Sequence, residues 1–294
     1  MSLDYISTIH SAIDVPIPLV TETKLSPDIY DSFHKKWSNL DFKKIIYYSD
    51  GRKVVGFIVK PLQGTKLPCI IYNRGGSKEF SKIDKRILFY LIAELASWGY
   101  IVIASQYSGN DGSEGKDEMG GQDLDDVINL KTILDEMKEA DSSKIGMFGA
   151  SRGGGMTYMA LAKVSWIKAA VIRAGSSNEI RGYEQRPDLK AFRADMYDVN
   201  SQVENEKRSA LFWPEKINKT TPILLLHGTG DDSVSPLDSM EMAIKLYEHK
   251  VPSRLIIFEG DNHRLSNNSK LAMDQTKLWF DRFVINEERL PVVV

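Results

Sequence analysis

The chain has 294 residues, of which 42% are hydrophobic and 27% charged, with a formal net charge of -2. That length holds one large α/β domain or two small ones, and the composition is that of an ordinary globular protein. The near-neutral charge gives no electrostatic case for nucleic acid or an anionic membrane, and no apolar run approaches the roughly 18 residues of a membrane span. The lone cysteine, Cys69 in "LPCIIY", reads as a buried strand residue that cannot form an internal disulfide. The N-terminus lacks a basic start followed by an apolar core, so a cytoplasmic location is the expectation.

Residues 1–42 read as a polar, irregular extension with one short helix, carrying Ile29, Phe33 and Trp37 on one face and Pro27 near its start. A single domain is expected over 43–294. "KKIIYYS" and "KVVGFIVKP", joined at Asp50-Gly51, predict a β-hairpin. "LPCIIYN" is a continuous apolar run, as in a strand buried on both faces. "KIDKRILFYLIAELASWG" predicts a helix ending at Gly99. "YIVIAS", "KIGMFG", "IKAAVIRAG", "PILLLHG" and "SRLIIFEG" then read as strands. Helical patterns separate most of them: "DLDDVINLKTILDEM", "GGMTYMALAKV" and "PLDSMEMAIKLYEHK", with "NNSKLAMDQTKLWFDRFVI" as the last. This alternation predicts βαβ units, hence an α/β fold with a mainly parallel central sheet flanked by helices. The rhythm breaks over 176–221, a helical insertion rich in charge and in residues such as Tyr183, Phe192, Met196, Tyr197, Phe212 and Trp213. A lid over a site and a mere cover for the core both fit it.

Gly149-Ala150-Ser151-Arg152-Gly153 follows the strand "KIGMF" and opens a helix. A serine between small residues at such a turn is a G-x-S-x-G nucleophile elbow: the sharp turn strains the serine backbone and excludes side chains on either side. A serine hydroxyl needs a base, and the base an orienting acid. "PILLLHGTGDDSVSP" places Asp231 and Asp232 directly after one strand, and "SRLIIFEGDNHRL" places His263 after the next. Serine, acid, histidine is the chain order of α/β-hydrolases. His10 and His34 precede the sheet, His227 reads as a packing or turn residue, and His249 lies late in a helix. For the oxyanion, the N–H of Arg152 at the helix N-terminus and those of Gly76 and Gly75 in "NRGGS" are the candidate donors.

These residues resemble the catalytic domain of the prolyl oligopeptidase-type (S9-like) α/β-hydrolases, which border on the dienelactone hydrolases. The resemblance runs from about residue 43 to the C-terminus through "NRGGS", "SQYSGNDGSEG", "GGQDLDDV", "GASRGGG", "RSALFWPEKI", "LLLHGTGDDSV" and "EGDNH". It implies that the acid is the first aspartate of the D-x-x-V unit, Asp231, with Val234 as the valine. Three positions depart from the family: Arg74 replaces the histidine of its "HGG" turn, Arg152 stands where the peptidases often have tyrosine, and Ser108 replaces an arginine. Residues 1–42 are too few for the β-propeller of the full-length peptidases. The resemblance thus implies a serine hydrolase without fixing its substrate.

The expected enzyme is a serine hydrolase that cleaves a carboxylic ester through an acyl-enzyme on Ser151, His263 and Asp231. Cleavage of short or N-acylated peptides is the alternative. A non-catalytic binding protein on the same fold is more remote, because such proteins typically lose a triad member. The expected partner is a small ester or short peptide, with no nucleic acid, no membrane, no metal and no organic cofactor. Arg74, Arg152 and Arg173 all fall at carboxyl ends of strands, where α/β sheets bind ligands. Either they select a carboxylate-bearing substrate, or they pair with the acidic residues of "GNDGSEGKDEMGGQDLDD" and hold loops together; for Arg152 the second is expected.

Overall fold

Alternating apolar and amphipathic runs build one nine-stranded sheet in a computed structural model that describes residues 15–16 and 35–290. The strands are β1 (Val15–Pro16), β2 (Leu40–Ser49), β3 (Arg52–Pro61), β4 (Leu67–Asn73), β5 (Ile101–Ser105), β6 (Ala140–Ala150), β7 (Ile167–Arg173), β8 (Ile223–Gly228) and β9 (Ser253–Phe258). They lie in the order β1-β2-β3-β5-β4-β6-β7-β8-β9. The pairings from β1 to β5 are antiparallel, and those from β5 through β4 to β9 are parallel. This is the α/β-hydrolase fold that the pattern of strands and helices implies.

The hairpin turns at Asp50 (φ 48°) and Gly51 (φ 83°), the pair of left-handed residues that a two-residue turn needs. β2 starts at Leu40, before the expected boundary at residue 43. Most of the short helix expected in the extension, Ile29 and Phe33 included, lies outside the described residues, as do His10 and His34. Trp37 is described: it is buried and donates its indole N–H to the Phe89 carbonyl at 3.1 Å.

Strand alternation divides the core in two. Ile71, Ile103 and Met147 face one side, against α2 (Asp123–Ile128), α3 (Leu130–Glu136), α4 (Arg152–Lys163) and α8 (Pro236–Glu248). Tyr72, Val102, Phe148 and Val171 face the other, against α1 (residues 85–97) and α9 (residues 269–285). The single helix expected after Gln122 is broken at Asn129, whose side-chain amide reaches Ser49 Oγ at 3.0 Å while its carbonyl takes the tight i+3 bond from Thr132. Helix α1 contains a π-helical stretch, Leu88–Ile92.

The insertion 176–221 forms α5 (Glu179–Gln185), α6 (Asp188–Arg193), α7 (Gln202–Lys207) and two 3-10 turns. Tyr183, Met196, Tyr197 and Val199 of this segment close around Met119 in a small apolar cluster of their own. The insertion therefore packs as a cover and, through α5 and α6, also walls a cavity at the carboxyl edge of the sheet.

Where β6 meets α4 the backbones come too close for side chains. A Cβ at Gly149 would lie 2.1 Å from the Gly153 carbonyl oxygen, and one at Gly153 2.0 Å from that of Asn73. Gly155, on the same helix, would only approach the Ser176 carbonyl oxygen at 3.3 Å. In denaturant unfolding, Gly153→Ala should lose about 3 kcal/mol or more. Gly155→Ala should stay within about 1 kcal/mol of the parent, because alanine's helix propensity offsets the tight contact.

Candidate active site

Ser151 sits at the junction of β6 and α4 with φ 56° and ψ -125°, a conformation costly for any residue but glycine. Neighbouring backbone holds it there. Its N–H donates to the Arg173 carbonyl at 2.9 Å, and its own carbonyl accepts from Gly154 at 2.8 Å and Ser176 at 3.3 Å. The next residue, Arg152, opens α4, so its N–H has no intrahelical acceptor and carries the positive end of the helix dipole.

The turn after β8 brings in Asp231. Its side chain is fully buried, at 0% exposure, and Oδ2 receives His263 Nδ1 at 2.7 Å. Oδ1 accepts the N–H groups of Ser233 at 2.8 Å and Val234 at 3.0 Å. Asp232, exposed, has only the Ser233 hydroxyl, at 3.0 Å. Burial by itself would raise the Asp231 carboxyl; hydrogen bonds from His227, His263 and Val234 outweigh it and hold the group well below the usual carboxylate range. With Nδ1 on the acid, His263 keeps Nε2 for the cavity, to which its side chain is 23% exposed.

His227 departs from its reading as a packing or turn residue. It is completely buried, and Nε2 lies 3.0 Å from Asp231 Oδ2 and 3.1 Å from the Val234 carbonyl oxygen. Both neighbours are acceptors, so Nε2 carries the hydrogen, and Nδ1 accepts from the Ser239 hydroxyl at 2.7 Å. Asp231 thus takes an imidazole N–H from each of two histidines. His227 and Asp231 stand four apart in "HGTGD", across a strand end and a turn rather than on a helix, so their spacing alone does not mark this contact.

Three successive carbonyls of the loop after β4 point into the protein. The Tyr107 hydroxyl donates to the Arg74 carbonyl at 3.0 Å, Arg74 Nη1 to that of Gly75 at 3.1 Å, and Arg152 Nη1 to that of Gly76 at 3.1 Å. No peptide here is cis, so each following N–H points the opposite way. The N–H groups of Gly75, Gly76 and Ser77 have no protein acceptor among the described residues. Gly76 has φ +67°, and a Cβ there would meet the Phe80 carbonyl oxygen at 2.1 Å, so only glycine fits.

The arginines divide. Arg152, 4% exposed, forks onto Asp117 at 2.6 and 2.9 Å and reaches Asp123 at 2.7 Å. Arg74, 0% exposed, spends its donors on backbone carbonyls, and burial pushes it down to about 10. Both guanidinium groups lie against the Tyr107 ring, Arg74 at 5.2 Å and Arg152 at 4.7 Å from its centroid. Burial raises both carboxyls. At Asp117 the Arg152 fork overcomes it and holds the group well below its ordinary range, whereas complete burial beside Asp117 pushes Asp123 up to about 6. Arg173, the third, lines the cavity.

That cavity has a volume of about 1020 Å³ and takes in Ser151, Gly75, Gly76, Arg152 and His263. Among the described residues no group of three or more histidine, cysteine or acidic side chains could hold a metal ion, and no helix is long and apolar enough to cross a membrane.

A parallel sheet with a strained serine before a helix, and an acid-histidine pair after later strands, defines a serine hydrolase of the α/β-hydrolase fold. The chain belongs to the prolyl oligopeptidase family, whose family model matches residues 88–286. It is 29% identical over 209 residues to the uncharacterized peptidase YtmA of Bacillus subtilis, covering 70% of this chain and 80% of that one. It is 28% identical over 234 residues to the putative esterase YitV of the same organism, covering 74% and 90%. The solved acylaminoacyl peptidase of Pyrococcus horikoshii shares the fold, with a TM-score of 0.75 at 22% identity over 90% of this chain, which spans 45% of the longer one.

Removing the Arg152 guanidinium would leave two buried carboxylates without their cation and free the Gly76 carbonyl. Arg152→Ala should cost about 3–5 kcal/mol in chemical unfolding. Asp117 and Asp231, held below the ordinary range, stabilise the fold above about pH 4, and that stability is lost as pH falls below it. Asp123, raised to about 6, acts in the opposite sense between about pH 4 and 6. In a pH series of unfolding midpoints, the acid-limb loss due to Asp117 should be missing in Arg152→Ala.

Proposed function

We propose that the chain hydrolyses a carboxylic ester of a small substrate through an acyl-enzyme on Ser151. The observation that carries this is the 2.7 Å bond from His263 Nδ1 to the buried Asp231, in the same cavity as the strained serine. In the reaction His263 Nε2 takes the Ser151 proton as Oγ attacks the acyl carbon. Asp231 keeps the imidazole in the right tautomer and stabilises its cation, and Nε2 returns the proton to the departing alkoxide. The N–H groups of Arg152 and Gly76, with Gly75 beside them, receive the oxyanion; because two buried arginines already fix the loop, little reorganisation is left for the transition state. Water then attacks the acyl-enzyme with His263 as base, and Ser151 is regenerated.

Cleavage of short or N-acylated peptides by the same groups is the second reading, favoured by family membership and by the peptidases among the relatives. The cavity wall argues against a substrate held by a free amino terminus. Asp84, Glu179, Asp188 and Asp238 are each paired with an arginine: Arg86, Arg193, Arg186 and Arg181. Asp232 is the exception.

A fluorophosphonate probe should label the parent protein and fail on Ser151→Ala. Ser151→Ala and His263→Ala should each lower kcat for p-nitrophenyl esters by about 10⁴- to 10⁶-fold with an unchanged melting temperature. Asp231→Asn should cost far more than Asp232→Asn. Equal losses would mean that Asp231 does not orient the base. A panel of p-nitrophenyl esters against N-acyl and free aminoacyl amides decides between the two substrate classes.

A further inference from the structure

Arg173, on the cavity wall, has no ion-pair or hydrogen-bond acceptor among the described residues. Arg173 ends β7, beside Ala150 in the register of the sheet, and its carbonyl already holds the Ser151 N–H. Its side chain lies on the sheet face that carries Tyr72 and Phe148, with the guanidinium carbon 5.6 Å from the Phe148 ring centroid. It lines the same cavity as Ser151 and His263.

Arg86, Arg152, Arg186 and Arg193 around this cavity are each paired with aspartate or glutamate. Among the described residues no carboxylate, carbonyl or hydroxyl accepts from the Arg173 guanidinium, and its nitrogens are not sealed from the cavity. Tyr72 lines the cavity too, and its hydroxyl has no hydrogen-bond partner among the described residues. Exposed Arg264, next to His263, brings a second positive charge to this wall. Burial pushes Arg173 below its ordinary value, and nearby Arg264 adds to this. A half-buried guanidinium without a protein acceptor has lost part of its hydration, and a bound anion would replace it.

We propose that Arg173, with Tyr72 and Arg264 beside it, binds a carboxylate carried by the substrate, so that Ser151 acts on acidic esters. This rests on the hydrolase reading above. The planar two-oxygen anion matches the guanidinium fork. The Tyr72 ring on the cavity wall supplies apolar contact beside the guanidinium, and one fork with one hydroxyl suits a monoanion better than a phosphate dianion.

The test compares two pairs of esters, each differing by a carboxylate. Mono-p-nitrophenyl glutarate against p-nitrophenyl pentanoate places the carboxylate in the acyl half. 3-Acetoxybenzoate against phenyl acetate places it in the leaving half. In one pair the parent should prefer the anionic member by about 10- to 100-fold in kcat/KM, the range of a charge-assisted hydrogen bond in a partly enclosed site. Arg173→Met should reduce that ratio about tenfold or more, and Arg173→Lys should retain part of it. Glutarate should also raise the melting temperature of Ser151→Ala, and pentanamide should not. No preference in either pair, or a preference that survives Arg173→Met, overturns the carboxylate site. So does the absence of a glutarate shift, a readout that needs neither turnover nor a folded Arg173→Met. Failure of the hydrolase reading looks different: no fluorophosphonate labelling and no turnover of any ester, whatever glutarate does.

Discussion

The fork of Arg152 joins three pieces of chain that lie far apart in the sequence. It follows the serine on the elbow, takes both carboxylate oxygens of Asp117, reaches Asp123 at the start of α2, and holds the Gly76 carbonyl. Elbow and glycine loop therefore cannot move independently. A guanidinium fits this place because it offers several donors in a fixed plane and stays charged when buried. Its two carboxylate partners offset the desolvation, and the Tyr107 ring shields the group from water. The family's "HGG" histidine is replaced by Arg74, which does a similar service one peptide earlier. The two arginines and Tyr107 form one buried layer under the loop.

A second constraint runs through Asp231. A lone buried carboxylate would be neutralised by its surroundings. Here two backbone N–H groups and two imidazoles hold it ionised. His227 is fixed from behind by Ser239 of α8, so the position of the acid is set by helix packing as well as by its own turn. His263 needs only one anchored nitrogen to present the other to the cavity.

The cavity follows from how the insertion packs. α5 and α6 stand over the carboxyl edge of the sheet because their own small apolar cluster, closed around Met119, ties them to the loop that carries Asp117. Their charges are mostly spent in ion pairs within the wall, which leaves the guanidinium of Arg173, without an acceptor among the described residues, as the distinctive feature of the pocket.

Much of this was legible in the sequence. Period-two and continuous apolar runs marked the central strands, since burial on both faces leaves no room for polar residues. The glycines around Ser151 marked the elbow, since only a backbone in close contact requires them. The order of serine, aspartate and histidine, each after a strand, placed them at one edge because parallel strands end together. Tertiary structure decided what depends on partners distant in the chain. That Asp231 and not Asp232 meets His263 rests on the direction of one turn, which placement after a strand could not distinguish and the family's spacing could. His227 serves the acid rather than the core, although an isolated "HG" carries no trace of that. Three arginines at equivalent strand ends have three different fates. Arg74 is consumed by carbonyls, Arg152 by aspartates, and Arg173 by no acceptor among the described residues, because a side chain's partners are set by which loops fold over it and not by its place along the chain.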